Sequence, residues 1–246
     1  MKKVSDPVSA LIEELNELEL FSMAASLEEL YHSPDFGNFD RISLLQKLVD
    51  PEYEAKTSQK YKNRLKRAHL TGGPQDYQSC KDSPERAYLP EGITTTLGTL
   101  NFIRDGLNIC ILGPSDSGKS YLAKALGIKA YVQYRVGYYH CENFLEEMVA
   151  LKSNDFRSYQ KQIRYNVKLD LLILDDFLLH TVTDEREIKV LFELMEKRSE
   201  LSKSTIICSQ REPKSWAAMI LNDEVSSNAI MKRATKHYTV VIQPKG

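Results

Sequence analysis

Residues Gly113-Pro114-Ser115-Asp116-Ser117-Gly118-Lys119-Ser120 fit G-x-x-x-x-G-K-[ST], a spacing suited to holding a nucleoside triphosphate. Its glycines let backbone N–H groups approach phosphate oxygens, and the start of a following helix adds positive potential. Lys119 is the candidate for reaching the β and γ oxygens, Ser120 for ligating Mg²⁺, and Tyr121 continues the nucleotide site into the helix. A second apolar run, Leu171-Leu172-Ile173-Leu174, ends in Asp175-Asp176, as a strand does when it delivers a carboxylate to a metal beside phosphates. Asp175 is the candidate Mg²⁺ acid. Asp176 is the candidate base that orients and deprotonates an attacking water, the alternative being a solvated or helix-capping carboxylate. Another strand closes on Cys208-Ser209-Gln210-Arg211, where Gln210 is the candidate γ-phosphate sensor, against a plain polar residue at a strand end.

These residues need a sheet to converge. Asn108 to Leu112, Val136 to His140, Leu171 to Asp175, Ser204 to Cys208 and Tyr238 to Ile242 read as strands, with helical patterns over 119–133, 143–152, 185–200 and 226–236. Such alternation predicts an α/β domain with a parallel sheet and helices on both faces, spanning 93–246. Upstream, Leu11, Leu15, Leu18, Phe21, Met23, Leu27 and Leu30 keep helical spacing, and Ile42, Leu44, Leu45 and Leu48 begin another helix after Ser33-Pro34. Residues 1–70 therefore read as a small all-α domain, and the breaker-rich 71–92 as a linker.

The composition narrows the class. The chain has 246 residues, 42% of them hydrophobic, and 33 Lys+Arg stand against 34 Asp+Glu, which argues against disorder. No apolar run approaches the roughly 20 residues of a membrane span, and Met-Lys-Lys is followed by Asp6, Pro7, Glu13 and Glu14 rather than an apolar signal region, so a cytoplasmic, membrane-free protein is expected. Cys80, Cys110, Cys141 and Cys208 show no C-x-x-C pairing and read as reduced core thiols. His237 has no second His or Cys at ligand spacing and reads as packed or solvated.

Near-neutrality conceals two basic stretches. Lys56, Lys60, Lys62, Arg64, Lys66 and Arg67 fall in a run without an acid, and Arg157, Lys161, Arg164 and Lys168, with Lys152 just before them, recur at helical spacing. Both are candidates for sequence-nonspecific contact with DNA phosphates, the alternative for each being a solvated helix face. Tyr61 and Tyr159 lie within them, a weak hint of base stacking among thirteen tyrosines.

The P-loop, Leu171 to Asp176, Ser209-Gln210 with Trp216 following, and Asp223-Glu224 through Ala229-Ile230-Met231-Lys232-Arg233 to His237 together resemble the IstB family of transposition helpers. So do Leu15-x-x-Leu18 to Met23-Ala24-x-x-Leu27-x-x-Leu30 and Lys62-x-Arg64-Leu65-Lys66-Arg67-Ala68, so the likeness covers nearly the whole chain. It implies a P-loop AAA+ core with five parallel strands in the order 5-1-4-3-2, related to DnaC-type loaders and DnaA-type initiators. It also implies ATP and Mg²⁺ as cofactors, homo-oligomers formed through the ATP site, duplex DNA as a partner, and a transposase as client. By the same resemblance Arg233 is the finger inserted at a neighbour's γ-phosphate, and the stretch around Arg157 corresponds to the extra helix that lines the DNA channel of DnaA-like initiators. Three features depart from the family: Asp116 stands at a usual glycine, Lys232 replaces the Asp before the finger, and the sequence closes on Gln243-Pro244-Lys245-Gly246 without the Gly-x-Ser-Tyr-Arg tail, so no second sensor arginine is expected. The implied function is an ATP-switched DNA-binding ATPase that recruits a transposase. The alternatives are a helicase loader and a weakly hydrolysing ATP-bound scaffold; a small-molecule kinase lacks an acceptor motif.

Overall fold

The computed structural model describes residues 6–72, 77–220 and 224–244. Met1-Lys2-Lys3, the Gly73-Pro74 breakers, Asp223 and the final Lys245-Gly246 lie outside the described residues. Two compact units are present, Met1–Arg64 and Leu65–Gly246.

The first unit is helical, and its helix starts are held by carboxylates. Helix α1 (Pro7–Glu17) begins with Pro in its first turn and with the Asp6 side chain accepting from Val8 N–H at 3.4 Å. Helix α2 (Phe21–Tyr31) has Leu20 at its cap position, which offers no side-chain acceptor. Glu52 of α3 (Arg41–Arg67) supplies it instead, accepting from the N–H groups of Ser22 at 2.8 Å and Met23 at 3.1 Å. Helix α3 is itself started by Asp40, which accepts from Ile42 and Ser43 N–H, and it continues through Pro51. The apolar core of this unit is thin: Ala24 and Leu27 are buried, whereas Leu18, Phe21, Ile42 and Tyr53 are each more than 60% exposed.

The second unit is a sheet wrapped by helices. In chain order it contains β1 (Arg86–Leu89), α4 (Ile93–Gly98), α5 (Asn101–Arg104), β2 (Ile109–Leu112), α6 (Lys119–Ala130), β3 (Val136–His140), α7 (Cys141–Asn154), α8 (Phe156–Lys168), β4 (Leu171–Asp175), α9 (Glu185–Glu200), β5 (Ser204–Ser209), α10 (Trp216–Met219), α11 (Glu224–Thr235) and β6 (Tyr238–Pro244). The expectation of five strands, all parallel, is corrected. Six strands pair in the order β1-β6-β2-β5-β4-β3, and β1 runs antiparallel to β6, with Arg86 opposite Pro244 and Leu89 opposite Val241. The added edge strand comes from residues expected to be linker. Four residues among breakers carry no strand periodicity of their own, so β1 exists only because β6 offers a free edge. Among themselves the parallel strands run β6-β2-β5-β4-β3.

Strand β4 is buried at every position, which explains its uninterrupted apolar run between two helical layers. Arg198 of α9 lies almost wholly inside, and its guanidinium donates to the carbonyls of Asn166, Leu169 and Ser204 and to Thr205 Oγ1. Those carbonyls end α8 and begin β4 and β5, so one buried cation ties three elements at the amino edge of the sheet. All four cysteines are free and buried, and burial pushes the thiols of Cys110 and Cys141 up to about 12. No helix among the described residues is long and apolar enough to cross a membrane.

Candidate functional site

The P-loop joins the end of β2 to the start of α6, so its backbone N–H groups gather where the helix dipole is positive. Gly118 sits at φ +97°, and a Cβ there would meet Arg86 Nη1 at 2.7 Å. At Gly113 a Cβ would fall 2.6 Å from Ser117 Oγ and 2.8 Å from the Ile242 carbonyl. Asp116 takes a left-handed φ of 57°, the conformation a glycine adopts freely and Asp tolerates better than most residues. Ser117 Oγ is buried yet has no hydrogen-bond partner among the described residues. A tight loop with an orphaned hydroxyl and glycines that admit no side chain fits a phosphate group.

Lys119 is nearly buried and donates from Nζ to the Pro114 carbonyl at 2.6 Å. Burial lowers its pKa, while Cys208, Asp176, Asp175 and Asp116 oppose that shift. The acids expected from sequence are thus gathered around the lysine. Asp175 is fully buried, with Oδ2 accepting from the Tyr138 hydroxyl and Oδ1 from Asp176 N–H at 3.0 Å. Burial and the bond to Asp175 together raise the Tyr138 pKa, so the phenol stays a donor. Asp176 follows β4 at φ 52° and turns its carboxylate toward His140, whose Nδ1 lies 3.3 Å from Oδ2. The ligand atoms of His140, Asp175 and Asp176 fall within 4.8 Å of one another, and paired carboxylates suit a hard divalent cation. Tyr138 and His140 were not anticipated as site residues. Their signal was present in register: His140 pairs with Asp175 across β3 and β4, and residues two apart on a strand share a face.

Gln210 is exposed just beyond β5 and lines a 620 Å³ cleft with Gly113, Pro114, Arg211 and Val241. The chain there is pinned, because Ser209 Oγ donates to the Phe177 carbonyl at 2.9 Å and accepts from Arg211 N–H. Trp216, packed on Phe177 with ring centroids 4.8 Å apart, donates from Nε1 to the Arg211 carbonyl.

Arg233 lies elsewhere. It borders a 690 Å³ cavity with Asn108, Ser202, Lys232, Lys236 and His237, and its carbonyl accepts from Asn108 Nδ2 at 2.7 Å. Asn108 precedes β2 and the P-loop follows it, so Arg233 sits at the amino edge, roughly 16 Å along the strand from Gly113. Its guanidinium rests over the Phe192 ring, 3.6 Å from Glu196. His237 Nδ1 accepts from Asn108 N–H at 3.0 Å, and burial followed by Lys236 lowers its pKa.

Of the expected DNA contacts, Arg157, Lys161, Arg164 and Lys168 share the exposed face of α8 and make no ion pair within 4.0 Å among the described residues. Lys152 does not join them: it lies 3.7 Å from Glu193 and over the Tyr159 ring, where α7 packs on α9. Tyr159 is buried and donates to Glu193, so it offers no stacking surface. Lys62, Arg64, Lys66 and Arg67 are all exposed on α3.

Residues 13–246 match the family model described as IstB-like ATP binding protein. The chain belongs to that family. An IstB-like relative named as an ATP-binding protein of insertion sequence IS1162, from Pseudomonas fluorescens, is 29% identical over 81% of this chain and 84% of its own. A counterpart named for insertion sequence IS232, from Bacillus thuringiensis subsp. berliner, is 31% identical over 58% of this chain and 56% of its own. The AAA+ fold is shared with a DnaA replication initiator bound to AMPPCP and single-stranded DNA, at TM-score 0.55 and 21% identity over 69% of this chain. It is shared as well with the DnaC helicase loader, at TM-score 0.54 and 18% identity over 71% of this chain and 99% of that one. The chain spans about half the length of the DnaA chain and of the IS232 protein.

Proposed function

We propose that this IstB-like chain is an ATP-dependent DNA-binding ATPase that assembles on target DNA in its ATP state and presents that DNA to a transposase. The observation that carries the reading is the separation of two halves of one chemistry on one sheet. The phosphate cradle and its acids lie at the carboxyl edge, and Arg233 lies at the amino edge among Asn108, Lys236 and His237. An arginine so placed serves a neighbouring copy rather than its own P-loop, which makes turnover depend on assembly.

Gly113 to Tyr121 would hold the nucleotide, and Ser120 with Asp175 the Mg²⁺ that neutralises its phosphates. Bound Mg-ATP supplies the phosphoryl group. Tyr138 fixes the direction of the Asp175 carboxylate at the metal position by donating to it. Asp176 accepts the proton of the attacking water, with His140 beside it to hold the carboxylate's direction. Gln210 reads the γ-phosphate from the end of β5, and Arg233 of one copy stabilises charge in the next.

The exposed cations of α8 support the DNA assignment. From Arg157 to Lys168 they cover roughly 16 Å of helix, enough to follow about three consecutive phosphates of one strand. Their contacts are to backbone charge, so sequence-nonspecific, salt-sensitive binding is expected. Lys62, Arg64, Lys66 and Arg67 of α3 are a second candidate surface for DNA.

Sedimentation with labelled duplex DNA in Mg-ATP, Mg-ADP or no nucleotide, at two salt concentrations, tests the proposal. Large salt-sensitive assemblies confined to Mg-ATP are expected. DNA binding indifferent to nucleotide would replace the transposition reading with a protein client of the helicase-loader kind.

A further inference from the structure

We infer that Arg86 is a phosphate-binding residue acting within its own subunit, its guanidinium taking the α/β-phosphate side of the bound nucleotide. The inference rests on the nucleotide site proposed above and adds to it a cation from a strand that precedes the P-loop in sequence.

Arg86 opens β1, the antiparallel edge strand beside β6, and β6 in turn borders the β2 strand that leads into the P-loop. This brings the guanidinium onto Gly118. A Cβ at that glycine would lie 2.7 Å from Nη1, 2.8 Å from Cζ and 3.2 Å from Nη2, so the arginine fork fills the space above the loop that a side chain would take. Gly118 immediately precedes Lys119 and the first turn of α6, where the N–H groups of such a loop cradle the α- and β-phosphates.

The side chain has donors to give. A guanidinium carries five N–H groups, and the partner Arg86 has in the fold is the Tyr88 hydroxyl, at 3.5 Å. No carboxylate lies within ion-pair distance among the described residues. Its planar fork matches two phosphate oxygens at once, which a lysine ammonium does not. The loop also bears Asp116 as an added negative charge, and Arg86 returns a positive one to the same loop.

The segment that presents Arg86 is anchored. Tyr88 is buried and donates its N–H to Asp82 Oδ1 at 2.7 Å. Ser83 N–H donates to the Arg86 carbonyl at 2.9 Å. Upstream, Ser79 Oγ and the Tyr121 hydroxyl are 2.7 Å apart, and Lys129 lies over the Tyr77 ring, so residues 77–88 are fastened along α6. Held at both ends, Arg86 faces the loop at little further entropic cost.

The test is equilibrium binding of ATP and ADP to the full chain, for wild type, Arg86→Ala, Arg86→Lys and Arg86→Gln, with thermal melting alongside. Arg86→Ala should weaken ATP and ADP by the same factor, about 10- to 100-fold for a charge-assisted contact, with the melting temperature unchanged. Arg86→Lys should recover part of that loss, and all effects should persist at dilutions where the protein is monomeric. Unaltered affinity for both nucleotides in Arg86→Ala overturns the inference, and a loss confined to ATP overturns the α/β assignment. If Arg86→Ala no longer melts cooperatively, Arg86→Gln decides, with the same expected loss. Failure of the wild type to bind ATP would instead remove the underlying nucleotide-site reading.

Discussion

The two edges of the same sheet hold their charges differently. At the carboxyl edge Lys119 and Asp175 are buried, Asp175 is bonded to Tyr138, and Asp176 lies against His140. At the amino edge Arg233 is partly exposed beside a 690 Å³ cavity, held by a ring face, by the Ala229 carbonyl to which Nη1 donates at 3.1 Å, and by a carboxylate 3.6 Å away. The first edge holds its charged groups by bonds within the fold. The second holds its arginine at the surface of α9 and α11, and the proposed function requires that group to reach a neighbouring copy. Under the proposed function binding needs one copy and turnover needs two, and this distinction can be broken by experiment.

The largest effect is expected from Arg233→Ala, which should lower ATP turnover about a thousandfold while leaving ATP affinity within about twofold. Mixing it with Lys119→Ala should restore part of the turnover, because one variant keeps an intact P-loop and the other an intact arginine. Loss of ATP binding in Arg233→Ala, or no recovery on mixing, would place the arginine's action within one subunit. Next, Asp176→Asn should cut turnover about a hundredfold with ATP-dependent assembly on DNA preserved, measured by single-turnover hydrolysis. Retained hydrolysis would return Asp176 to a capping role. A smaller change, about tenfold in turnover at saturating ATP with Mg²⁺ titrating weaker, is expected of Tyr138→Phe, since the phenol acts by donating to Asp175.

The smallest effect belongs to His237 at the amino edge. Its pKa lies below the ordinary 6.5 in the folded chain, so the unfolded chain binds the proton more readily. The stability linked to it is complete above about pH 6.5 and declines as pH falls from there through the lowered folded value. In melting scans the wild type should lose more melting temperature than His237→Asn over that window. Equal pH profiles for the two would show that the Asn108 N–H bond does not depend on a neutral ring.

Local features of the site were legible because their chemistry lies in consecutive residues. The P-loop carries its own strand, turn and helix start within a few positions, and Leu171 to Asp176 carries both its burial and its charge in one run. The contacts that complete the site were not legible. Tyr138 meets Asp175 only through the pairing of β3 with β4, and Arg86 reaches Gly118 only because β1 pairs with β6, more than 150 residues later in the chain. Four residues with no periodicity cannot announce a strand, and the same stretch read as linker. Lys152 illustrates the converse: it stands just before the basic stripe in sequence, yet Glu193 from α9 takes its charge.

The sequence by itself determined the P-loop pattern, the alternating α/β order and the basic periodicity of α8, since each depends on neighbours within a turn or a strand. The tertiary structure alone decided that Arg233 and the P-loop occupy opposite edges, that His140 and Tyr138 orient the two acids, and that Arg86 lies on the loop. Those are matters of strand register and edge pairing. They are set by hydrogen bonds between segments far apart in the chain, and no local pattern encodes them.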